Sequence, residues 1–434
     1  MFHPRLTMAA AIALLSACGS TGTGGGSSAD VTLSATDVAI PAPALDQSQP
    51  VTVNTREDAA GPQVEGDDRV IITGMRSALR SGSLDSYLRA LSEVSCGGSS
   101  TATAAPAIPL SVSLVAEQSP DPKLRKFGEM TFIASYQLTS TDERFGGLSG
   151  LDLIADDKLL AVSDAGRFVW IDLNKDGTAP VSARLAPMVA VGGVAMGADA
   201  ASEGLAINGS FALVSFEGDH RVLAFDIGRC GASASGAPIV FGDYGLPLTD
   251  AFADARIVVS EKEGSEPLAV TSDWYLFAGI ERKVGQFNSL SGRPIEAEPE
   301  FNLRVGVNAP EFAGLDIVPD LRRNGAVRAF LVHRSTRSSN SSIVITETDM
   351  IRFRDDNAPA GPGEMAERAR WRFSETGWRE LGNLDRLGTG DSYEGIAAKQ
   401  LSDGRVRLYL ISDDDFDGAK RTLLTILDVP KPLR

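Results

Sequence analysis

Acidic residues occur at equivalent places in five similar segments of this sequence. Each segment opens with Gly-Leu, Gly-Ile or, once, Pro-Leu, and in three segments the preceding residue is a glutamate: Glu203, Glu266 and Glu394. A second apolar run then ends in a polar or charged residue, which is acidic in four segments: Asp164, Glu217, Glu281 and Asp413. Crowded carboxylates repel one another unless a cation holds them, and Ca²⁺ binds roughly six to eight oxygen ligands. These residues predict a calcium cluster, unless they only accept backbone N–H groups at strand ends.

A cation in such a cluster would suit ester hydrolysis. It would position a phosphate and lower the pKa of a water molecule, while a free carboxylate acted as general base. We expect Glu203 and Glu394 to be metal ligands or the base, and Arg221 to hold the phosphate. Other cationic residues also follow the second runs, and for the whole set the alternative is pairing with neighbouring carboxylates. These are Arg167, His220, Arg282, Lys283, Arg334 and Arg421.

Two loops carry the spacing D-x-[DN]-x-D-G, which places alternate oxygen atoms around one Ca²⁺. The first loop offers Asp172, Asn174 and Asp176, and the second offers Asp413, Asp415 and Asp417. Neither loop has the glutamate that completes an EF-hand, because Ala183 and Leu424 stand at the twelfth positions. The alternative for both loops is an ordinary hairpin turn, since Asp, Asn and Gly favour turns. Asp413 belongs to the cluster as well and cannot easily serve both sites.

The same segments predict the fold. Short β-branched runs alternate with Gly, Asp and Asn turns from about residue 129 onward, and the segments recur about every 50 to 80 residues, which is the scale of a propeller blade. The sequence therefore predicts an all-β protein, a β-propeller whose inner strands line a central channel. Five clear units and a cryptic one, within 284–310 or 351–390, predict six blades. The run "MTFIASYQL" (130–138) is expected to supply the outer strand of the last blade and close the ring.

Several of these runs together resemble a known family. They are "GGLSGLDL", "LLAVSDAGRF", "SEGLAI", "LVSFEGDHRVLAFD", "YEGIAA" and "LISDDDFDGAKRTLL". The sequence resembles, over roughly residues 129–430, the bacterial exported family named esterase-like activity of phytase, or phytase-like. The resemblance implies a propeller and hydrolysis of phosphate or carboxylic esters.

The N-terminal part predicts export and a tether. Residues 1–17 have the pattern of a lipoprotein signal peptide, so we expect lipidation of Cys18, the alternative being an ordinary secretory signal. Residues 18–66 predict a disordered tether, 67–109 a short helix and linker, and 110–434 the propeller domain. The helix is expected at "LDSYLRALSEV" with Ser83 as its cap. Cys96 and Cys230 either form a disulfide or remain free thiols, because pairing needs a geometry that the sequence does not give.

Two functions are consistent with these observations. The first is a calcium-dependent, phytase-like or esterase-like hydrolase of phosphate esters. The second is a non-catalytic propeller that binds a ligand or an envelope protein and holds structural calcium. Both place a monomer in the cell envelope, lipid-anchored at the periplasmic side of the outer membrane or at the cell surface. The excess of acidic residues, 57 Asp and Glu against 41 Lys and Arg, argues against nucleic acid as a partner.

Overall fold

The fold is known from a computed structural model of the chain. The residues that it describes are 83–97, 101–121, 123, 125–197, 200–218, 220–239, 266–284, 287–295, 301–305, 310–335, 342–353, 370–373, 378–384 and 391–432. No helix within this part of the chain is long and apolar enough to cross a membrane.

Five antiparallel sheets form a β-propeller, and each sheet is one blade. Blade 1 contains β1 (Ala107–Ile108), β5 (Leu148–Ala155), β6 (Lys158–Ser163), β7 (Arg167–Leu173) and β8 (Pro180–Pro187). Blade 2 contains β9 (Ser202–Asn208), β10 (Phe211–Phe216), β11 (Val222–Phe225) and β12 (Ala237–Pro238). Blade 3 contains β13 (Leu268–Val270), β14 (Tyr275–Val284), β15 (Phe287–Pro294) and β16 (Phe301–Val305).

The last two blades are larger. Blade 4 contains β17 (Glu311–Pro319), β18 (Ala326–Arg334), β19 (Ile343–Phe353), β20 (Arg370–Phe373) and β21 (Arg379–Asn383). Blade 5 contains β2 (Leu110–Glu117), β3 (Lys126–Phe127), β4 (Met130–Ser140), β22 (Ser392–Gln400), β23 (Val406–Asp413) and β24 (Leu423–Val429). The first strands of the five blades, β5, β9, β13, β17 and β22, contact one another in a closed ring around the channel.

Glycines in the inner strands allow this ring to close. A Cβ atom on Gly150 would lie within 3 Å of the Glu203 carbonyl oxygen in the next blade, and one on Gly204 would lie equally close to the Glu266 carbonyl oxygen. Gly314 and Gly395 face the next blade in the same way. Since a glycine is favoured where two backbones approach this closely, the repeated Gly-Leu phrase reflects the contact between blades.

Blade 5 is closed by strands from both ends of the domain. β4 pairs with β24, and the register places Tyr136 opposite Leu424 and Ala134 opposite Ile426. The prediction that the 130–138 run closes the ring is therefore confirmed. This pairing joins the start and the end of the described chain, so the ring leaves no open gap between its first and last inner strands.

The predicted number of six blades is wrong, because the described residues form five sheets. The two stretches in which a sixth blade was expected, 284–310 and 351–390, supply outer strands of other blades instead. Within the first stretch, β15 and β16 complete blade 3, and around the second β19, β20 and β21 complete blade 4. These strands have no inner strand of their own, so they extend existing sheets.

A helix before the propeller is fixed to blade 2. Helix α1 (Leu84–Cys96) is capped by Ser83, as predicted, and its Tyr87 and Leu91 are fully buried in the core of blades 2 and 3. Cys96 forms a disulfide with Cys230, at the end of the short helix α2 (Ile227–Cys230), and their Cα atoms are 5.6 Å apart. The expected linker also contains strand β1, which pairs with β8 of blade 1. The helix is thus part of the domain's core.

Candidate functional site

β-Bulges direct the residues that precede the repeated glycines towards one mouth of the channel. The pairing between first and second strands shifts register at Ser149, Ala313 and Glu394, and a similar shift spans Glu203 and Gly204. A bulge re-aims the side chain of the extra residue and often lies beside a functional site. The second strands end at the same mouth, where they place Asp164, Glu217, Glu281, Arg334 and Asp413. The repeat-equivalent positions therefore do converge.

Arg334 is the cation at the centre of one half of the mouth. Its Nη2 donates to Oε1 of Glu266 at 2.9 Å and to Oε1 of Glu281 at 2.8 Å. Its Nη1 donates to Ser392 Oγ at 2.8 Å and to Oε1 of Glu394. Burial alone would lower the pKa of Arg334, but the Glu266 and Glu281 carboxylates outweigh it and raise that pKa. We call Arg334, Glu266, Glu281 and Glu394 the arginine half.

The other half of the mouth consists of acidic residues from blades 1, 2 and 5. We call Asp164, Glu203, Glu217 and Asp413 the open half. None of Asp164, Glu203 and Asp413 forms an ion pair with a described residue, whereas Asp414 beside them accepts hydrogen bonds from Gly147 N and Thr422 Oγ1, both at 2.8 Å. Asp414 adds charge to this half, so negative charge accumulates there.

Three acidic residues of the open half have raised pKa values. Burial, together with the neighbouring Glu217 and Asp164 carboxylates, raises the pKa of Glu203 to about 7. Burial likewise raises the pKa of Asp413 to about 7, with Asp164 and Asp414 adding to the effect. Asp164 shifts in the same direction, also chiefly because of burial. Glu203 and Asp413 can therefore exchange protons near neutral pH.

A small cavity lies on the channel axis directly inside the mouth. Its volume is about 10 Å³, and its lining includes Ser149, Glu266 and Glu394 together with the inter-blade glycines and the apolar residue after each. Oε2 of Glu266 accepts no hydrogen bond from any described residue. Ser149 Oγ makes no bond of ordinary geometry within the described chain either, although it lies close enough to Glu203 to lower that residue's pKa.

Further inside the channel, two aspartates link neighbouring blades. Asp152 Oδ2 accepts a hydrogen bond from Ile207 N at 2.6 Å, and Asp316 Oδ2 accepts one from Ala398 N at 2.6 Å. Burial raises the pKa of Asp152 to about 7, and raises that of Asp316, to which the Asp152 charge contributes. Because each carboxyl accepts two backbone N–H groups, these residues hold the ring together.

A larger cavity adjoins the mouth at blade 5. Its volume is about 420 Å³, and it lies between the end of β4 and the loop that follows β23. Phe145, Phe416, Lys420 and Arg421 contribute to its lining, and Asp414 connects it to the open half. Arg421 is paired with Asp391 at 2.6 Å. The mouth thus has room beside it for the organic part of a ligand.

The sequence profile of a known family matches residues 143–416, which is more than half of the chain. The family is described as phytase-like, with esterase-like activity of phytase. The chain belongs to the phytase-like family. No curated protein matches this phytase-like sequence.

Solved structures of low similarity also align with the phytase-like chain. Glutaminyl cyclase from Myxococcus xanthus is 14% identical, with a TM-score of 0.35, and the alignment covers 70% of this chain and 97% of that one. The GH62 α-L-arabinofuranosidase catalytic domain of Coprinopsis cinerea is 10% identical, with a TM-score of 0.37 and coverages of 74% and 98%. At these scores the likenesses carry no argument about function.

The two predicted calcium loops of the phytase-like protein are folded as turns. In the first loop, Asp172 pairs with Lys158 at 2.8 Å, and Asn174 Oδ1 accepts from Thr178 N at 2.8 Å. Asp176 contributes its backbone carbonyl to Arg407 Nη1 at 2.8 Å. In the second loop, Asp415 pairs with Lys420, and Asp417 Oδ1 accepts from Ala419 N at 3.0 Å. Asp413 lies at the mouth and also closes the start of this turn, because its Oδ1 accepts from Asp415 N at 2.7 Å.

The described acidic residues do not form a ready-made metal site. Among the described residues, no set of three or more His, Cys, Asp or Glu side chains is already arranged to hold a metal ion. The open half has the hard oxygen donors that Ca²⁺ prefers, but its side chains would have to close around the ion. Calcium therefore stays a prediction.

Other predicted residues lie elsewhere. The guanidinium of Arg221 stacks on the ring of Phe216, with 4.8 Å to its centroid, and Arg334 is the arginine among the mouth carboxylates. Cys18 lies outside the described residues. The sequence indicated Arg334 and Glu266 only as members of larger sets, and Asp414 and Ser149 were not singled out as site residues. Ser149 did carry one signal, because it occupies the blade 1 position that corresponds to Glu203 and Glu394.

Proposed function

We propose that this phytase-like protein is a calcium-dependent hydrolase of phosphate esters and that the channel mouth is its active site. The observation that supports this most is the convergence of repeat-equivalent carboxylates on one arginine, with the pKa values of Glu203 and Asp413 at about 7. Perturbed carboxyl groups in a concave site are typical of catalytic groups. The family's name gives hydrolysis of esters as the class of reaction.

The charge of the site makes a cation necessary for such a substrate. The open half offers several carboxylates, and a phosphate ester is itself an anion, so the two repel each other. Asp164, Glu203 and Asp413 would hold the cation, because none of them is engaged in an ion pair within the described chain. When bound, Ca²⁺ supplies positive charge that neutralises these residues and polarises the phosphoryl oxygens.

Residues around the mouth would supply the other parts of the reaction. Arg334 lies across the mouth from the open half, and it offsets part of the negative charge that a phosphate would meet there from Glu266, Glu281 and Glu394. Glu394 and Ser392 hold its Nη1, so we assign Glu394 the task of orienting Arg334. The apolar residues inside the channel limit access of bulk water from below. The cavity of about 420 Å³ leaves space for the departing alcohol.

The test is an assay of the purified full chain with a generic phosphomonoester, phytate and a short acyl ester. Each substrate is measured with added Ca²⁺ and with a chelator. We expect calcium-dependent turnover of a phosphate ester, lowered about 100-fold or more in Glu203→Gln and about 10-fold in Glu394→Gln. Glu129→Gln is the matched control, because Glu129 forms an exposed ion pair with Arg379.

The result that would contradict the proposal is the absence of turnover on all three substrates. If calcium then still raised the melting temperature, the protein would be a binding propeller with a structural ion, which is the alternative function that the sequence allows. Hydrolysis of the acyl ester alone would keep the esterase class and exclude the phosphate substrate.

We further propose that the protein is lipid-anchored at Cys18 and acts in the cell envelope. The support is the sequence of residues 1–18 alone. Mass spectrometry of the mature N-terminus tests this, since a diacylglyceryl group on Cys18 is expected, and an unmodified N-terminus at another residue would contradict it.

A further inference from the structure

Glu266, which lines the axial cavity, has a buried carboxylate oxygen without a hydrogen-bond partner among the described residues. Glu266 is only 8% exposed, and Arg334 holds its Oε1 at 2.9 Å. Its Oε2 accepts no hydrogen bond from any residue that the structure describes. A buried polar atom left unpaired destabilises the folded protein, so such an atom favours the binding of a ligand. The chain therefore keeps one acceptor available inside the mouth.

The cavity beside this oxygen has the size of one water molecule. Its volume is about 10 Å³, which is close to the smallest space that holds a water. Ser149, which is 3% exposed, lines the same cavity, and its Oγ has no partner of ordinary geometry among the described residues. Glu394 is the third polar residue of the lining, and apolar residues such as Leu151 and Ile396 complete it. A water held here would therefore have polar groups of the chain beside it.

We propose that Glu266 is the general base of the hydrolysis and that its Oε2 holds the attacking water in the axial cavity, with Ser149 positioning that water. This inference rests on the proposed function. It assigns the base to a residue that makes one hydrogen bond to Arg334 through Oε1 and leaves Oε2 available. Glu394, in contrast, orients Arg334, and Glu203 belongs to the group that would hold the cation.

The position of the cavity fits an in-line displacement. In this proposal a phosphoryl group held at the mouth would have the axial cavity on its inner side, and the cavity of about 420 Å³ beside the mouth would receive the alcohol. The water oxygen attacks phosphorus from the inner side, and one of its protons passes to Oε2 of Glu266. The bond between phosphorus and the ester oxygen breaks, and the alkoxide takes a proton from solvent at the mouth. The products are phosphate and alcohol, and Glu266 returns its proton to solvent.

The chemistry of Glu266 suits this task. Burial raises the pKa of its carboxyl group well above the usual value, while Arg334 opposes that shift. A carboxylate with a raised pKa is a stronger proton acceptor than an exposed one. The ion pair with Arg334 keeps it oriented and favours its ionised form.

The experiment compares Glu266→Gln, Glu266→Ala and Ser149→Ala in the full chain with calcium and a phosphomonoester. Glu266→Gln keeps an oxygen acceptor for Arg334 but cannot take up a proton. We expect kcat to fall about 100-fold or more with KM within about threefold of the unaltered protein, and Ser149→Ala to lower kcat about 10-fold. Added formate should raise the kcat of Glu266→Ala at least about 10-fold, because a small carboxylate can replace the missing one. Asp403→Asn, at an exposed ion pair with Arg405, is the control.

Two results would overturn the assignment while the proposed function survived. One is an active unaltered protein whose Glu266→Gln variant retains kcat within about threefold. The other is a Glu266→Ala variant that melts normally, has lost activity and does not respond to formate. An unaltered protein that hydrolyses no ester would instead overturn the proposed function, and this inference with it.

Discussion

The two halves of the channel mouth are built from the same repeat positions and differ in one residue type. In the arginine half, the blade 4 position at the end of the second strand is Arg334, and three glutamates from blades 3 and 5 bind it. In the open half, the corresponding positions of blades 1, 2 and 5 are Asp164, Glu217 and Asp413, and Glu203 adds a fourth carboxylate from the first strand of blade 2. Arg334 offsets part of the negative charge of its three glutamates, whereas the open half has no arginine or lysine among its members. The comparison teaches that one substitution in the repeat, an arginine in blade 4 where the other blades have an acidic residue, divides the mouth into two electrostatically different halves.

Removal of Arg334 should have the largest effect on stability and should abolish the difference between the two halves. Arg334→Ala leaves the buried Glu266 and Glu394 carboxylates without a partner, and loss of one member of a buried ion pair costs about 3–5 kcal/mol. We expect the melting temperature to fall by about 10 °C in a thermal scan. Arg144→Ala is the control, because Arg144 pairs with Asp142 at the surface and should cost under about 1 kcal/mol. Equal decreases in melting temperature for the two variants would contradict the buried ion pairs assigned to Arg334.

The ring that supports both halves can be tested at its glycines. Gly204→Ala and Gly314→Ala would each place a Cβ atom within 3 Å of the next blade's carbonyl oxygen. We expect a destabilisation of about 1–3 kcal/mol for each, measured by denaturant unfolding. Gly418→Ala provides the matched control, since a Cβ atom there has no neighbour within 4 Å among the described residues. If Gly204→Ala were as harmless as Gly418→Ala, close contact between blades would not explain the repeated glycine.

The open half should make stability depend on pH in a stated direction. The folded pKa values of Glu203 and Asp413 are about 7, above their unfolded values of roughly 4. The protonated forms therefore favour folding, and this contribution is complete below pH 4 and is lost as pH rises through 7. Without calcium, the melting temperature should be about 5 °C higher at pH 5 than at pH 8.

The double variant Glu203→Gln, Asp413→Asn identifies the source of that dependence. It should lose the part of the difference between pH 5 and pH 8 that Glu203 and Asp413 contribute. The remaining acidic residues with raised pKa values, Asp152, Asp164, Glu266 and Asp316, should retain the rest. An unchanged pH dependence in the double variant would exclude Glu203 and Asp413 as the titrating groups.

The smallest effect is expected at the second predicted calcium loop. Asp415→Asn and Asp417→Asn should change the calcium-induced rise in melting temperature by less than about 1 °C, because Asp415 pairs with Lys420 and Asp417 closes a turn. A loss of the calcium response in either variant would move the site from the channel mouth to the loop.

These comparisons also show what the sequence could reveal. The recurrence of Gly-Leu after a glutamate predicted both the propeller and the convergence of Glu203 and Glu394, because equivalent positions in repeats meet at the axis. The 130–138 run and the helix capped by Ser83 followed from local patterns. Six blades were predicted because β15, β16 and β19–β21 lack the repeat's opening phrase, and a strand's place at the outer edge of a sheet has no strong local signal.

The difference in charge between the two halves of the mouth could not be predicted from the sequence, for a different reason. Arg334 and Glu394 are 60 residues apart, and their ion pair depends on how blades 4 and 5 meet. Arg221 was favoured for phosphate because it follows a second strand, as Arg334 does, but its side chain turns onto Phe216. The blade 2 residue at the position of Arg334 is Glu217, and only the folded structure shows that Arg334 and not Arg221 lies among the mouth carboxylates. The unpartnered Oε2 of Glu266 is likewise a property of the closed ring.

The central claim is that the open half of the mouth binds a cation, and calorimetric titration of the full chain with Ca²⁺ tests it most directly. The account predicts binding that weakens about 10-fold or more in Glu203→Gln and in Asp413→Asn. Glu281→Gln, in the arginine half, should stay within about threefold of the unaltered protein. No binding heat at millimolar Ca²⁺, or equal weakening by variants of both halves, would contradict the account.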